Sequence, residues 1–230
     1  MMGRPTKQSQ QVHLKEVIKE TAWLHISVHG SQRLSLRSIA RDISISPTAI
    51  YHYFPSREAL LTELIIEAYN SLAIHQQYAC NAVSSHDAIA QLRAIGIAYR
   101  TWARTFPQHY QLIFGTPIPE YQAPKPLILP AAARSLGVLI LVIERLYQQG
   151  QLNPASYPTL RSPNTSLHQQ WQQYIGECHI QSFVVAELIW ARVHGLASLE
   201  IGGNLPLFSS DEDTLYDTEL DAMIRHFVTP

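Results

Sequence analysis

Within the stretch 46–53, Ser46, Thr48, Tyr51, His52 and Tyr53 crowd together, with Arg37 and Arg57 flanking them at a distance of a helix or less. Hydroxyls, phenols, an imidazole and guanidinium groups at this density supply many hydrogen-bond donors and two fixed positive charges. Across the chain they are joined by no paired catalytic constellation, no glycine-rich phosphate loop and no complete metal-ligand set. Such groups suit the phosphate oxygens and base edges of a nucleic acid, where positioning and reading are separate tasks.

The elements that must hold these groups are short helices. Ser35 is placed as the N-cap of a helix over Leu36 to Ile43, and Ser46 as the N-cap of another opened by Pro47, a residue whose fixed φ suits the first helical position. Ala40 is small where two helices would cross, and Ile39, Ile43, Ile45 and Ile50 fall at spacings that point to a shared core. This is the pattern of a helix-turn-helix, in which the second helix protrudes so that its N-terminal half enters a major groove. A first helix over about 9–29, with Val12, Val17, Ile18, Ala22 and Ile26 inward, stops at Gly30, and Ser56 caps a long helix reaching about residue 84.

Charge separates the ends of the chain. Residues 1–57 carry eight Lys/Arg against three acids, a balance of +5, and the remainder carries nine against fifteen, a balance of −6. A basic head on an acidic body implies that the head alone meets a polyanion. Cys80 and Cys178 have no CxxC partner, which argues against a disulfide framework or a thiolate zinc site. The N-terminus shows no apolar stretch behind its charges, and the longest apolar run, 137–143, is short for a bilayer, so a cytoplasmic protein without a membrane partner is expected.

Beyond residue 84 the periodicity stays helical. Helices are expected over about 87–106, 108–114, 130–149, 166–175, 181–201 and 211–228, with proline-rich connections at 115–124 and 151–165. The expected fold is all-α, about ten helices, with a helix-turn-helix domain at 1–57, a connecting helix over about 57–84, and a larger helical regulatory and dimerisation domain over 58–230. The helix 181–201 is apolar on nearly every face and is expected to be buried all round. Such burial is most easily reached if one face packs on a second copy, so this helix and the last one are expected to form a two-fold bundle.

The segment LSLRSIARDISISPTAIYHYFPSREALLTEL, from Leu34 to Leu64, resembles the DNA-binding domain of TetR-family regulators, most specifically in its run from Tyr51 to Leu60. The likeness extends over about residues 9–65. The chain departs from the family at Ser44, where the turn usually holds glycine; a left-handed backbone there costs a non-glycine residue ~1–2 kcal/mol, which favours a slightly reshaped turn. The resemblance implies phosphate contacts through Tyr51 and Tyr53, although Tyr53 equally suits partial burial. Ser35, Arg37 and Arg57 are placed for phosphates, Arg57 at a helix start where amides and dipole favour an anion. Thr48 and His52 are placed for base edges, with Ser46 and Pro47 beside them. Arg4 and Lys7 sit in a short arm able to reach the backbone or minor groove, whereas Arg41 reads as solvated or ion-paired. The presumed reading helix lacks Arg, Asn and Gln, the strongest base readers, so specificity is expected to need two copies on a near-palindromic operator, about 34–36 Å apart.

Trp190, His194 and Gly195 resemble the Trp-His-Gly signature of one class of TetR C-terminal domains, over about residues 98–228, with support from Tyr110 to Pro119. That likeness implies a homodimer and a regulatory domain. Tyr99, Trp102, Phe106, Tyr110 and Phe114, with Ile140 and His194, are the candidate pocket for a largely apolar small molecule, Arg100 being a further polar candidate. Ordinary core packing is the alternative. His25 with His29, and Glu177-Cys178-His179, are incomplete as metal sites, and no metal or other cofactor is expected. The function implied is a ligand-responsive, sequence-specific DNA-binding repressor and not an enzyme; a helical enzyme or carrier with a vestigial helix-turn-helix and a ligand-free architectural DNA binder are the alternatives.

Overall fold

The caps written in the sequence set the helix ends. The computed structural model describes residues 7–156, 165–205 and 211–229. In chain order the α-helices are α1 (Lys7–His29), α2 (Leu36–Asp42), α3 (Pro47–Tyr51), α4 (Arg57–Asn81), α5 (Ala88–Thr105), α6 (Pro107–Phe114), α7 (Lys125–Gln148), α8 (Thr165–Ile175), α9 (Ile180–Ile201) and α10 (Glu212–Phe227), with a 3-10 turn at Ser31–Arg33. The Ser46 and Ser56 hydroxyls accept from Ala49 N and Ala59 N, both at 3.1 Å, and Asp87 accepts from Ala90 N at 2.8 Å. Each satisfies one of the orphan amides that every helix start leaves. No strand occurs among the described residues; Leu152 and Val228 make an isolated antiparallel bridge. Arg4 lies outside the described residues.

Contacts divide the chain into two units, residues 1–68 with 108–128 and residues 69–107 with 129–230. The return of 108–128 to the first unit has visible causes. Trp23 stacks on His109 with ring centroids 3.8 Å apart, and Tyr121 and Thr62 share a hydrogen bond of 3.0 Å. Lys15 pairs with Glu63 at 3.0 Å, and Lys19 with Glu67 and Glu16 at 2.8 Å, fixing α1 against α4. The buried stripe of α1 is Ile18, Ala22 and Ile26, repeating every four residues. Val12 was expected inward but is exposed: it lies six positions before Ile18, a step that turns it away from that face.

In the second unit the core runs through α5, α7 and α9. Both α7 and α9 are long and apolar enough to cross a bilayer, which the shortness of the longest apolar run had obscured. In α7 that apolarity is used internally: Leu139, Ile140, Val142, Ile143 and Leu146 are all buried. The helix starts at Lys125, five residues earlier than Pro130 suggested, and carries Pro130 within it. Only one of the expected faces of α9 is hidden; Ile189, Val193 and Ala197 are buried, while Leu188 and Leu199 remain 37% and 41% exposed.

Polar cross-links hold the second unit together. The Arg100 guanidinium forks onto Glu200 at 2.7 and 3.0 Å and reaches Asp213 at 2.7 Å, joining α5 to α9 and α10. Arg100 holds the Asp213 carboxyl below the usual aspartate range. The Tyr216 hydroxyl donates to the Gly96 carbonyl at 2.7 Å, and a Cβ at Gly96 would lie 2.6 Å from Leu220 Cδ2, so a larger residue there would require the Leu220 side chain to shift. Glu144 on α7 accepts from the His179 amide and ring, each at 2.8 Å, at the start of α9.

Candidate nucleic-acid interface and ligand cleft

In the first unit, α2 and α3 cross through a turn whose geometry follows from three hydrogen bonds. Ser44 N donates to Arg41 O at 3.1 Å, Ile45 N to Ala40 O at 2.9 Å and Ile43 N to Ile39 O at 3.0 Å. The first two define a Schellman end, which needs a left-handed residue at the position Ser44 occupies. Ser44 has φ 58°, so the turn keeps the left-handed geometry and the serine bears the strain, in place of the reshaping that its side chain suggested. Ile39 and Ala40 are fully buried against Ile50, also fully buried, whereas Ile43 and Ile45 are half-buried.

Burial of Ile50 fixes which side of α3 faces outward. Ser46, Pro47, Thr48, Tyr51 and His52 are exposed, and Tyr53 is half-buried beside the fully buried Phe54. The Ser46 hydroxyl oxygen accepts from the Ala49 amide in its cap, which leaves its O–H to donate. Ser35 caps α2 in the same way and is half-buried. Arg33 and Arg37 are exposed, with no acid paired to either among the described residues. Arg41 is also exposed, 3.5 Å from Asp42, whose carboxyl is held below the usual range chiefly by the hydrogen bond to His25 at 2.7 Å. That bond engages one of the two α1 histidines whose spacing had raised the question of a metal. Lys7 begins α1.

Arg57 has a task the sequence did not disclose. Its Nε donates to Leu34 O at 3.0 Å, and one Nη donates to Ser31 O at 2.9 Å and Gln32 O at 3.2 Å. The guanidinium thus clamps the carbonyls of the 3-10 turn that leads into α2. These oxygens belong to irregular backbone 23–26 residues upstream, and no local pattern announces them.

The second unit contains a narrow, partly open cleft with a cavity volume of ≈ 30 Å³, set in ≈ 420 Å³ of non-atom space that includes open solvent. Leu92, Ile95, Gly96 and Tyr99 of α5 form one wall, Ile189, Trp190 and Val193 of α9 another, and Leu220, Met223 and Ile224 of α10 a third, with Leu139 and Gln76 completing it. Of the aromatic residues singled out from sequence, Tyr99 lines this space. His194 joins through its Nδ1, 2.9 Å from the Tyr99 hydroxyl, and stacks on Trp190 at 4.7 Å. Burial pushes the His194 imidazolium down, favouring the neutral ring.

The other candidates lie elsewhere. Trp102 is fully buried and donates to Ser71 at 3.1 Å; Phe106 packs on it and on His75; Ile140 is fully buried in α7. Tyr110 and Phe114, edge to face at 5.3 Å, belong to the first unit. Arg100 is held by Glu200 and Asp213. The sequence reading missed Gln76 and the aliphatic walls; the i, i+3, i+4, i+7 stripe of Leu92, Ile95, Gly96 and Tyr99 is the signal that could have found α5's share.

Family models match both parts of the chain. Residues 18–64 match the model for bacterial regulatory proteins of the tetR family, and residues 92–223 match that for the tetracyclin repressor-like C-terminal domain. The chain is 30% identical over 228 residues to the HTH-type transcriptional regulator Rv1816 of Mycobacterium tuberculosis, covering 99% of this chain and 95% of that protein. Among solved structures, the regulatory protein SCO4313 superposes with a TM-score of 0.78 at 29% identity, covering 96% of this chain and 100% of that one. A transcriptional regulator from Saccharomonospora viridis in complex with choline shares the fold, with a TM-score of 0.65 at 18% identity over 95% and 100% of the two chains. The chain belongs to the TetR family of DNA-binding transcriptional regulators. The Trp-His-Gly subdivision remains a resemblance within that family.

Proposed function

We propose that the protein is a repressor that binds a near-palindromic operator as a homodimer, acts in the cytoplasm without catalysing a reaction, and is released by a largely apolar small molecule. The observation that carries the DNA half is the outward face of α3. Pro47, Thr48, Tyr51 and His52 are exposed while Ile50 behind them is fully buried, so the helix is a platform with polar groups on one side only. Thr48 and His52 read base edges, with Ser46 and Pro47 beside them. Ser35, Arg37, Tyr51, Tyr53 and the clamped Arg57 meet phosphates, and Arg4 and Lys7 extend the basic arm.

Dimerisation through α9 and α10 is supported by the outer side of α9. Leu188, Ala191 and Leu199 are exposed on it, and the space where a Gly195 side chain would project is open. Large apolar residues flanking small ones let a second helix approach closely. Ligand release is then a population shift: a molecule that favours a dimer state whose reading helices miss the operator spacing lowers DNA affinity by its differential affinity for the two states.

Titrating salt against binding to duplex DNA from the region upstream of the protein's own gene tests this reading. Log affinity should fall linearly with log salt, and Arg37→Ala should reduce that slope by about 1 while weakening all sequences alike. His52→Ala should instead alter the preference among sequences. Binding that is undetectable, or indifferent to salt, would refute the proposal.

A further inference from the structure

The cleft of the second unit is predominantly apolar, and at Gln76 a polar atom is left unmatched. Gln76 lines it from α4, is 5% exposed, and its side-chain oxygen is buried without a hydrogen-bond partner. An unsatisfied buried acceptor is costly in a folded protein, and native structures seldom retain one without a reason. Other polar groups near the cleft are already engaged. The Tyr99 hydroxyl and the His194 ring bond each other at 2.9 Å, and the Tyr216 hydroxyl is held on the Gly96 carbonyl at 2.7 Å.

Charge is kept away from this space. No Lys, Arg, Asp or Glu is among the lining residues. Arg100, one position along α5 from Tyr99, is bound by Glu200 and Asp213, and burial favours the neutral form of His194. A carboxylate entering the cleft would find no cation, and an ammonium would find no anion. Burying an unpaired charge is far more costly than burying an unpaired dipole.

Resting on the ligand-responsive reading above, we infer that the cleft takes an uncharged, predominantly apolar molecule carrying one hydrogen-bond donor, and that Gln76 accepts that donor. Gln76 then sets specificity: the aliphatic walls of α5, α9 and α10 hold any apolar body, whereas the buried amide discriminates between molecules that bring a donor and those that do not. Sites built around a buried hydrogen-bonding group reject analogues that leave it unpaired more strongly than apolar walls reject a change of shape.

Three eight-carbon probes test this on the full-length protein: 1-octanol, its isomer heptyl methyl ether, and octanoate, with choline as a cationic control. Binding is followed by calorimetry and by tryptophan emission, since Trp190 lines the cleft. The expected order is octanol about tenfold tighter than the ether, a ratio set by one net hydrogen bond, with octanoate and choline weaker than both. In Gln76→Leu and Gln76→Met the octanol-to-ether ratio should fall to near one while the ether is retained. Equal binding of octanol and ether by the unaltered protein would overturn the inference, as would tighter binding of octanoate or choline, or an unchanged ratio in a folded Gln76 variant. The unaltered protein supplies its own readout if either variant fails to fold. A parallel DNA-binding measurement separates the two levels of the argument. DNA binding with no preference for octanol refutes only this ligand class, whereas loss of salt-dependent DNA binding refutes the repressor reading beneath it.

Discussion

The two units solve opposite problems with one device. The first must present charge to a polyanion, and the second must keep charge out of a cleft. In both, the ionic groups that serve the scaffold are paired with each other or with backbone. Lys15, Lys19 and Arg57 are engaged by Glu63, Glu67 and the 3-10 turn, which leaves Arg33 and Arg37 exposed and without an acid partner among the described residues, while the exposed Arg41 lies beside Asp42. Arg100, Arg104, Glu200 and Asp213 are collected into one network in the second, which leaves a predominantly apolar lining in which the Gln76 side-chain oxygen is buried without a partner. The difference shows that the number of charges in a unit says little about what its working surface offers; what matters is which of them are already bound.

The comparison is broken most severely at Arg57. Its guanidinium holds three carbonyls with its side chain 24% exposed, and hydrogen bonds to charged groups contribute about 1.5–3 kcal/mol where they are well formed. Arg57→Ala should therefore lower the stability of the first unit by about 2 kcal/mol as well as weakening DNA binding, measured by denaturant unfolding alongside an affinity titration. Lost affinity at unchanged stability would show Arg57 to be a phosphate ligand alone.

The second unit has its counterpart in Glu144. Burial raises its carboxyl, but the amide and ring of His179 and the Gln148 amide outweigh burial, and the net displacement is downward. A carboxyl lowered by folding adds stability that is complete above the ordinary glutamate range and is lost as pH falls through and below it. Acid unfolding followed by circular dichroism should accordingly be less steep in Glu144→Gln, which should also lose about 1–3 kcal/mol near neutrality. A variant with the same acid profile as the parent would remove Glu144 from the account.

The smallest effect is at Ser44. With φ at 58°, replacement by glycine relieves a left-handed serine, and Ser44→Gly should stabilise the first unit by about 1 kcal/mol in thermal unfolding. No gain would mean that the turn's hydrogen bonds already hold the serine at little cost.

Legibility differed between the units for the same physical reason that their chemistry differs. The α2–α3 motif is local: its caps, its proline and its isoleucine spacing all lie between Ser35 and Phe54, so pattern alone places them. The cleft is assembled from five helices distant in sequence, with walls of leucine, isoleucine and valine that look like core until the space between them is seen. Aromatic residues drew attention there, yet Trp102 is tied to Ser71, and Tyr110 and Phe114 pack in the first unit. The Arg57 clamp was hidden because its partners are backbone oxygens, which carry no signature in the side-chain code.

The reading helix α3 is five residues long. At 1.5 Å per residue it spans roughly two base-pair steps, so each copy spells out only a fragment of a word. A fragment that short recurs by chance many times among the ~10⁶–10⁹ sites a genome offers. With two copies bound as proposed, much of the information that singles out a promoter resides in the gap between two fragments, and mutations that lengthen or shorten that gap should silence a target more completely than mutations that misspell either half.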